Sequence, residues 1–396
     1  MKVVNIAKRF GVTVAAIAAA AGFSGGAQAQ QTPQANDIVV GAAIVQTGPY
    51  AVAGIPGYHA LSAVFNEVNE TGGIRGRKFR LVHEDTGYKT DVAVATFKKI
   101  TSQNKVTFYY GDSSAFSKTI NPELTRMGSV VLAGWPHTTA INDTANYPFQ
   151  FMAGPDYSQM FDLLLRYIAK EKPKAKVAFI YADNENGRDP VAHGKETIKK
   201  LGLELVADIA MPLGTVDVTT EAIKLRRAEA DYVLFQGFVN APIPQYIAYA
   251  KQNGMKTKFL GSFYMMDVAT WLKAGEVMDG FMGVFPYNFP SDPAAKGAWM
   301  DRYRSIDPKF QNIYGMQSYM TARLYVEMVR RTLDAGKDLT AQNLKAAFYS
   351  IKDLDTKGYI GVPVSVKGNS IPVGRIYRFD YKAKQMVGVS DWIKLD

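Results

Sequence analysis

Three short stretches of this 396-residue chain combine residue types that could carry out catalysis or bind a cofactor. Gly111–Ala115 (GDSSA) lacks the second glycine that sets a nucleophilic serine on a tight strand-to-helix turn. The segment Gly187–Glu196 contains a Gly-Lys pair, yet Glu196 stands where a phosphate loop needs Ser or Thr for magnesium. Asp183–Gly187 is similar to the start of a calcium loop, but no Glu closes it at the required offset. These motifs therefore do not predict catalysis.

His83, Glu84 and Asp85 offer metal-ligand chemistry at the end of a predicted strand. A single histidine between carboxylates at a strand end more often belongs to a solvated loop, so we interpret this cluster as structural. The chain contains no cysteine, which excludes disulfides, thiolate metal sites, cysteine nucleophiles and a lipidated cysteine. The sequence predicts no metal and no cofactor.

The chain is basic, with 46 Lys and Arg against 36 Asp and Glu and a formal net charge of +10. Such a surplus raises the question of nucleic acid or an anionic membrane as a partner. The longest basic groupings, Lys170–Lys176 and Lys199–Lys200, are short, and there is no arginine-rich arm, RNP motif or zinc finger. We interpret the surplus as a solvated surface and predict no nucleic-acid or membrane partner.

Residues 1–29 have the three zones of a secretory signal peptide. Basic residues precede an apolar run at Phe10–Phe23, and Ala27-Gln28-Ala29 follows as a cleavage site of the A-x-A type. The apolar run is shorter than the roughly 20 residues that cross a bilayer. We therefore expect cleavage after Ala29 and export to the bacterial periplasm.

From Asp37 onward, short apolar runs alternate with amphipathic ones in two series that divide near Tyr147–Phe151. The first series predicts strands at Ile38–Val45, Phe79–His83, Val106–Tyr110 and Val130–Ala133, and helices at Tyr58–Val68, Thr90–Ile100 and Thr119–Arg126. The second predicts strands at Ala178–Tyr181, Leu203–Ala207, Tyr232–Phe235 and Phe259–Leu260, and helices at Val191–Leu201, Thr219–Arg227 and Gln245–Gln252. A helix-rich stretch, Pro293–Phe348, and an alternating tail, Gly374–Leu395, follow. This order predicts an α/β fold with parallel sheets covered by helices on both faces.

Several short motifs occur in a definite order: Thr47–Pro49 after the first strand, Gly57, Asn69–Gly76 at a helix end, a strand running to Asp85, Tyr110–Ser114, and Gly261 at another strand end. With the paired series and the signal peptide, this order resembles the branched-chain amino-acid binding proteins. These are type I periplasmic solute receptors of ABC importers and include the leucine/isoleucine/valine-binding family. The resemblance covers essentially the whole chain after the signal peptide.

The resemblance implies two doubly wound parallel-sheet lobes joined by three crossings, near Gly154, Phe285 and residue 360. The expected N-terminal lobe is 36–153 plus 288–360, and the C-terminal lobe is 154–287 plus 361–396. A ligand would lie between the lobes at the carboxyl ends of the strands, where open parallel sheets offer a crevice. Hinge closure around the ligand would be the signal that a membrane permease reads.

In the first lobe, the resemblance places the ligand carboxylate against a serine after the third strand and against groups after the fourth. Ser114, with Ser113 beside it, matches the serine. After the fourth strand come Trp135, His137 and Thr138, with His137 at the family's threonine position. An imidazole there could donate to an anion; the alternative is that His137 caps a turn.

In the second lobe, the family's acidic partner of a ligand ammonium is replaced by Phe263. Burying an ammonium without its carboxylate costs several kcal/mol, only partly offset by a cation–π contact of about 1–2 kcal/mol. An α-amino acid is therefore disfavoured as ligand. Phe238 matches an aromatic position, Asn186 stands where a tyrosine is common, and Tyr264 follows Phe263. For each aromatic residue, simple core packing is the alternative.

Tyr50 and Phe116 are weaker candidates for the rim of the same site. Together these residues predict a receptor for an aromatic or other apolar carboxylate, of the phenolic, phenylpropanoid or benzoate type. Its partners would be this small molecule and the permease subunits of an ABC importer, with the receptor a monomer. Three alternatives stay open. The ligand could be a branched-chain amino acid or an amide, the protein could be a periplasmic enzyme that uses His137 with Asp112 or Asp183, or it could be a sensory receptor.

Overall fold

The apolar run at Ile38 forms an inner strand of the first sheet in the computed structural model, which describes residues 36–395. The predicted signal peptide and its cleavage site lie outside the described residues. The first sheet has four parallel strands in the order β2-β1-β3-β4. Their bounds are β1 (Ile38–Ile44), β2 (Phe79–Asp85), β3 (Val106–Gly111) and β4 (Val131–Gly134). All seven residues of β1 are buried, as expected of a strand that is covered on both faces.

Three helices follow the first three strands: α1 (Ala51–Glu70), α2 (Thr90–Gln103) and α3 (Ser114–Met127). α1 begins earlier than the predicted start at Tyr58, despite Gly54 and Pro56. Gly54 is needed because a Cβ there would lie 1.9 Å from the Val45 carbonyl oxygen. Pro56 lacks an N–H and leaves the Val52 carbonyl without its helical partner. The Asn312 side-chain amide donates to that carbonyl at 3.1 Å, so a residue distant in sequence supplies the missing hydrogen bond.

The second sheet runs in the order β11-β10-β9-β8-β7-β5-β6, and β12 also pairs with β10. Its strands are β5 (Lys176–Ala182), β6 (Glu204–Met211), β7 (Tyr232–Gln236), β8 (Lys258–Gly261), β9 (Met282–Phe285), β10 (Val373–Asp380), β11 (Gln385–Gly388) and β12 (Ile393–Lys394). β5 to β9 are mutually parallel, whereas the tail strands pair antiparallel, as the alternation of the tail predicts. The sequence analysis does not identify β9.

The remaining helices surround the second sheet and complete the first. Their bounds are α4 (Tyr157–Glu171), α5 (Glu185–Arg188), α6 (Val191–Lys200), α7 (Thr219–Arg227), α8 (Ile243–Gln252), α9 (Val268–Ala274), α10 (Ala298–Arg304), α11 (Ile313–Asp334) and α12 (Ala341–Tyr349). Short 3-10 helices lie at Thr139–Asn142, Phe263–Met265, Glu276–Met278 and Pro308–Phe310. The two sheets and their helices confirm the predicted α/β class.

α11 returns the chain to the first sheet by packing along α1. Arg323 on α11 is 4% exposed, and its guanidinium donates to both oxygens of Glu67 on α1 at 3.0 and 2.6 Å. The Tyr319 and Trp299 rings lie 4.8 and 5.3 Å from the guanidinium carbon. A fork of this kind fixes the relative position of two helices that are far apart in sequence. The predicted lobe boundaries stay a prediction.

Candidate ligand-binding site

Residues that follow the strands of one sheet contact residues that follow the strands of the other. The Tyr264 hydroxyl, beyond β8, donates to the Trp135 carbonyl, directly after β4. Thr138, also beyond β4, donates from its hydroxyl to Asp189, which follows α5, at 2.6 Å. The carboxyl ends of the two parallel sheets therefore face each other, at the kind of edge where open α/β sheets bind ligands.

Ser113 and Ser114 lie where β3 passes into α3, as predicted. Ser113 caps α3, because its Oγ accepts from the Phe116 N–H at 3.2 Å and donates to Asp112 at 2.9 Å. The half-buried Ser114 begins the helix, and its hydroxyl has no partner among the described residues. Of the two serines, only Ser114 keeps its hydroxyl available to a ligand.

His137 is fully buried, and both of its ring nitrogens have partners within the protein. Nδ1 lies 2.8 Å from the Pro155 carbonyl, which can only accept, so Nδ1 carries the proton. Nε2 then accepts from the side-chain amide of Gln317 at 2.9 Å. Burial lowers the pKa of His137 to about 4, so the imidazole is neutral near pH 7. The predicted role as an anion donor does not fit this arrangement; His137 instead holds Pro155 and α11 against the end of β4.

Thr138 is buried as well, and its hydroxyl is taken by Asp189. The Thr139 N–H points at the same carboxylate, 3.2 and 3.3 Å from its two oxygens. A carboxylate therefore lies at this edge of the second sheet, although the family's acidic position is Phe263. The sequence argument against an amino-acid ligand assumed that this edge has no negative charge. That assumption is wrong, because Asp189 brings a carboxylate to the edge from a different loop.

Phe263 and Phe238 are 0% and 1% exposed and belong to the core. The Phe263 ring stacks on Phe285 at 4.9 Å and meets Tyr287 edge-on at 6.2 Å. Phe238 meets Phe235 edge-on at 6.4 Å. The prediction that these two rings clamp a ligand is not supported, and the alternative of core packing describes them better.

Asn186 and Tyr264 complete the predicted set. Asn186 is exposed on α5 and lies against the Tyr157 hydroxyl. Tyr264 is half-buried, meets Phe263 edge-on at 5.0 Å and stacks on Tyr314 at 5.8 Å. Both therefore lie at the facing ends of the sheets.

Three further tyrosines join this edge: Tyr50, a weaker candidate from the sequence, and Tyr88 and Tyr314, which the sequence analysis misses. The Tyr314 ring lies 5.7 Å from the Trp135 ring, and the Tyr88 ring lies 6.4 Å from it. Tyr88 also contacts Tyr50, at 4.2 Å. Its φ of +62° lies in the left-handed region, in the turn between β2 and α2. We call Tyr50, Tyr88, Trp135, Tyr264 and Tyr314 the aromatic edge.

Polar and acidic groups surround the aromatic edge. The Asp112 carboxylate accepts from Thr86 and Ser113, and burial raises its pKa despite these bonds. Burial and, second to it, the charge of Asp189 raise the pKa of the Tyr157 hydroxyl well above its usual value. Asp112 also acts on Tyr88 of the aromatic edge, after burial and Tyr50 in raising its pKa.

Within residues 36–395, no group of three or more His, Cys, Asp or Glu side chains is arranged to hold a metal ion. None of the helices in that range combines the length and apolarity needed to cross a bilayer. The site consists of aromatic rings, hydroxyls and carboxylates, which are groups that bind organic solutes.

Residues 37–384 match the family described as periplasmic binding protein, and the chain belongs to that family. The Leu/Ile/Val-binding protein homolog 7 of Brucella abortus (strain 2308) is 26% identical over 242 residues, which are 58% of this chain and 59% of the relative. The match thus spans less than two thirds of that relative. The Leu/Ile/Val-binding protein of Citrobacter freundii is 22% identical over 263 residues, 66% of this chain and 71% of the relative. These matches confirm the resemblance seen in the sequence.

Two solved structures show the same fold. A branched chain amino acid ABC transporter from Thermus thermophilus with bound valine has a TM-score of 0.78 and 20% identity, covering 91% of this chain and 97% of its own. An ABC transporter solute binding protein from R. palustris in complex with 4-hydroxybenzoate has a TM-score of 0.73 and 19% identity, covering 90% and 97%. The fold therefore occurs with an amino acid in one case and an aromatic acid in the other.

Proposed function

We propose that the protein is a periplasmic receptor of an ABC importer that binds an aromatic or other apolar carboxylate. The ligand would be of the phenolic, phenylpropanoid or benzoate type and would lie at the facing ends of the two sheets. Family membership supports the class of protein. The aromatic edge is the observation that carries the ligand class.

The rings of the aromatic edge suit a flat apolar body. The Tyr88 and Tyr314 rings lie 6.4 and 5.7 Å from the Trp135 ring, and Tyr264 stacks on Tyr314. Stacked and edge-on contacts between rings contribute about 0.5–1.5 kcal/mol each beyond the area that they bury. A ligand ring among these side chains replaces water with such contacts.

The ligand carboxylate would lie at the start of α3, next to Ser114. Among the serine, histidine and threonine donors predicted for this group, the Ser114 hydroxyl alone has no partner among the described residues. The first N–H groups of a helix also favour a negative charge by about 0.3–1 kcal/mol. No covalent step is needed, because closure of the two halves over the ligand suffices for a receptor.

A branched-chain amino acid or an amide is the second candidate, and Asp189 favours it. Its carboxylate, half-buried at the same edge, could pair with a ligand ammonium. The Leu/Ile/Val-binding relatives fit that ligand class by their names. The sequence argument against an amino acid depended on Phe263 alone, and Phe263 is in the core.

Calorimetry on protein freed of co-purified small molecules distinguishes the two candidates. We expect 4-hydroxybenzoate or a related acid to bind at micromolar or lower concentration and leucine to bind weakly. Tight leucine binding with no response to aromatic acids would refute the proposed ligand class. A mass spectrum of solutes carried through purification identifies the natural ligand, and an intact mass beginning at Gln30 tests the predicted cleavage.

A Ser114→Ala variant tests the place of the carboxylate. Losing a hydroxyl that meets a charged group costs about 1–3 kcal/mol, so we expect the acid to bind 5- to 150-fold more weakly. Ser102→Ala is the matched control, because Ser102 is exposed near the end of α2 and bonds only to the Lys99 carbonyl. Equal affinity in both variants would place the carboxylate elsewhere.

A further inference from the structure

Asp189 occupies the hydrogen-bond donors that follow β4. The Thr138 hydroxyl donates to one of its oxygens at 2.6 Å, and the Thr139 N–H approaches both oxygens at 3.2 and 3.3 Å. The family resemblance leads us to expect a ligand carboxylate at such donors. In this protein the carboxylate there belongs to the chain itself.

The second sheet holds Asp189 rigidly in this position. The Asp189 N–H donates to the Glu185 carbonyl at 3.0 Å, which ends α5, and Pro190 follows directly. α5 itself is pressed onto the end of β5, where a Cβ at Gly187 would lie 2.0 Å from the Ala182 carbonyl oxygen. The α5 turn therefore fixes the backbone at Asp189, and the bonds to Thr138 and Thr139 hold the carboxylate itself.

The charge of Asp189 is not neutralised by its partners, because a hydroxyl and an amide N–H are neutral donors. Two cations that contact this loop have other partners: Arg188 pairs with Asp183, and Lys118 on α3 pairs with Glu185. The charge of Asp189 also acts on the Tyr157 hydroxyl, which neighbours the aromatic edge. A fixed negative charge thus faces one end of the site.

We infer that Asp189 is a specificity-determining residue. Its carboxylate occupies the hydrogen-bond donors that follow β4. The site therefore accepts a ligand with one acidic group and rejects a second acidic group at this end. The selectivity against a second acidic group rests on the proposed function. The hydrogen bonds of Asp189 are independent of that function. A second carboxylate on the ligand would find its donors taken and a like charge beside it, which disfavours ionised binding.

Two variants separate the charge of Asp189 from its hydrogen bonds. Asp189→Asn removes the charge and keeps an oxygen that can accept from Thr138, whereas Asp189→Ala removes both. Asp183→Asn is the matched control, because Asp183 lies in the same loop and pairs with Arg188 rather than with the other sheet.

Amide hydrogen exchange of Thr139, resolved by NMR on ligand-free protein, tests the bond without any ligand. We expect Asp189→Ala to accelerate this exchange about tenfold or more, since the N–H loses a charged acceptor. The control should leave it unchanged. Equal exchange in wild type and Asp189→Ala overturns the inference.

Calorimetry with benzoate and with benzene-1,4-dicarboxylate tests the selectivity. We expect the wild type to prefer benzoate, and Asp189→Asn to raise affinity for the diacid about tenfold or more while changing that for benzoate less than threefold. Equal changes for both acids overturn the inference, as does a large loss of leucine binding in Asp189→Asn, which would make Asp189 an ammonium partner.

Failure of the proposed function has a different signature. The wild type would then bind neither acid, and this result overturns the selectivity. Accelerated amide exchange of Thr139 in Asp189→Ala would still support the bond between Asp189 and the end of β4.

Discussion

Replacing His137 with glutamine should change how the free energy of unfolding depends on pH. His137 is fully buried: its ring nitrogens bond to the Pro155 carbonyl and the Gln317 amide, and its ring lies 4.9 Å from that of Phe263. Burial lowers the pKa of His137 from 6.5 to about 4. The unfolded chain therefore binds a proton between these values that the folded protein does not.

The sign and size of the effect follow from this difference in proton binding. Stability falls as the pH falls wherever the unfolded state binds more protons, by up to 1.36 kcal/mol per pH unit for one group. Between pH 7 and pH 4.5, His137 should remove about 2 kcal/mol from the wild type's free energy of unfolding. A glutamine does not titrate, so the His137→Gln variant lacks this loss.

Urea unfolding of both proteins at pH 7 and pH 4.5 measures the effect. At pH 7 we expect the variant to be less stable, because the imidazole bonds and packing are lost. At pH 4.5 its deficit should be smaller by about 2 kcal/mol. A deficit that is the same at both pH values would refute the reasoning, because it would mean that His137 titrates equally in the folded and unfolded states.

Three further predictions concern neighbouring groups. The stability deficit of Asp156→Asn should be larger at pH 4.5 than at pH 7, the opposite of His137→Gln. Burial raises the pKa of Asp156 to about 6, so protonation stabilises the folded wild type by about 2 kcal/mol between pH 7 and pH 4.5. Urea unfolding at the two pH values measures this difference. Tyr264→Phe should weaken ligand binding about fivefold in calorimetry, since one hydrogen bond to the Trp135 carbonyl, worth about 1 kcal/mol, is lost between the two sheets. Glu67→Gln should lower the free energy of unfolding, measured in urea, by about 2 kcal/mol. Breaking a fully buried ion pair would cost more, but here Arg323 is buried while the Glu67 side chain is 34% exposed.

Matched controls make these results interpretable. Asp183→Asn, Tyr249→Phe and Glu70→Gln change the same groups at positions away from the aromatic edge and from the buried ion pair of α1 and α11. If a control reproduces the effect of its partner variant, the contact assigned to that partner does not cause the effect. If Asp156→Asn follows the same pH trend as His137→Gln, the burial argument for both groups is wrong.

Most of the fold could be predicted from local pattern, because most of its strands and helices show their own period in a short window. The run at Ile38 and the helix at Thr90 lie within about three residues of their expected bounds. Prediction was less accurate where residues distant in sequence meet. α1 begins before Pro56, and the carbonyl of Val52 that Pro56 leaves free accepts from Asn312.

The sequence predicts the candidate site residues at strand ends, and Ser114, Trp135 and Tyr264 lie there. Their role in ligand binding stays a prediction. Tyr314 could not be found, because α11 reaches the first sheet only after the chain has completed most of the second. Asp189 was missed because the acidic position was sought after β8, whereas the carboxylate comes from the turn after β5.

The sequence by itself determined the α/β class and the family, and it placed the candidate ligand-binding residues at strand ends, since periodicity and motif order are local properties of the chain. Tertiary structure decided which side chains at those ends remain available. The Thr138 hydroxyl bonds to Asp189, and the His137 imidazole bonds to Pro155 and Gln317. The Phe263 ring lies in the core. A hydrogen bond is made by whichever partner the packing brings within reach, and residues from distant parts of the chain meet only once both sheets have formed.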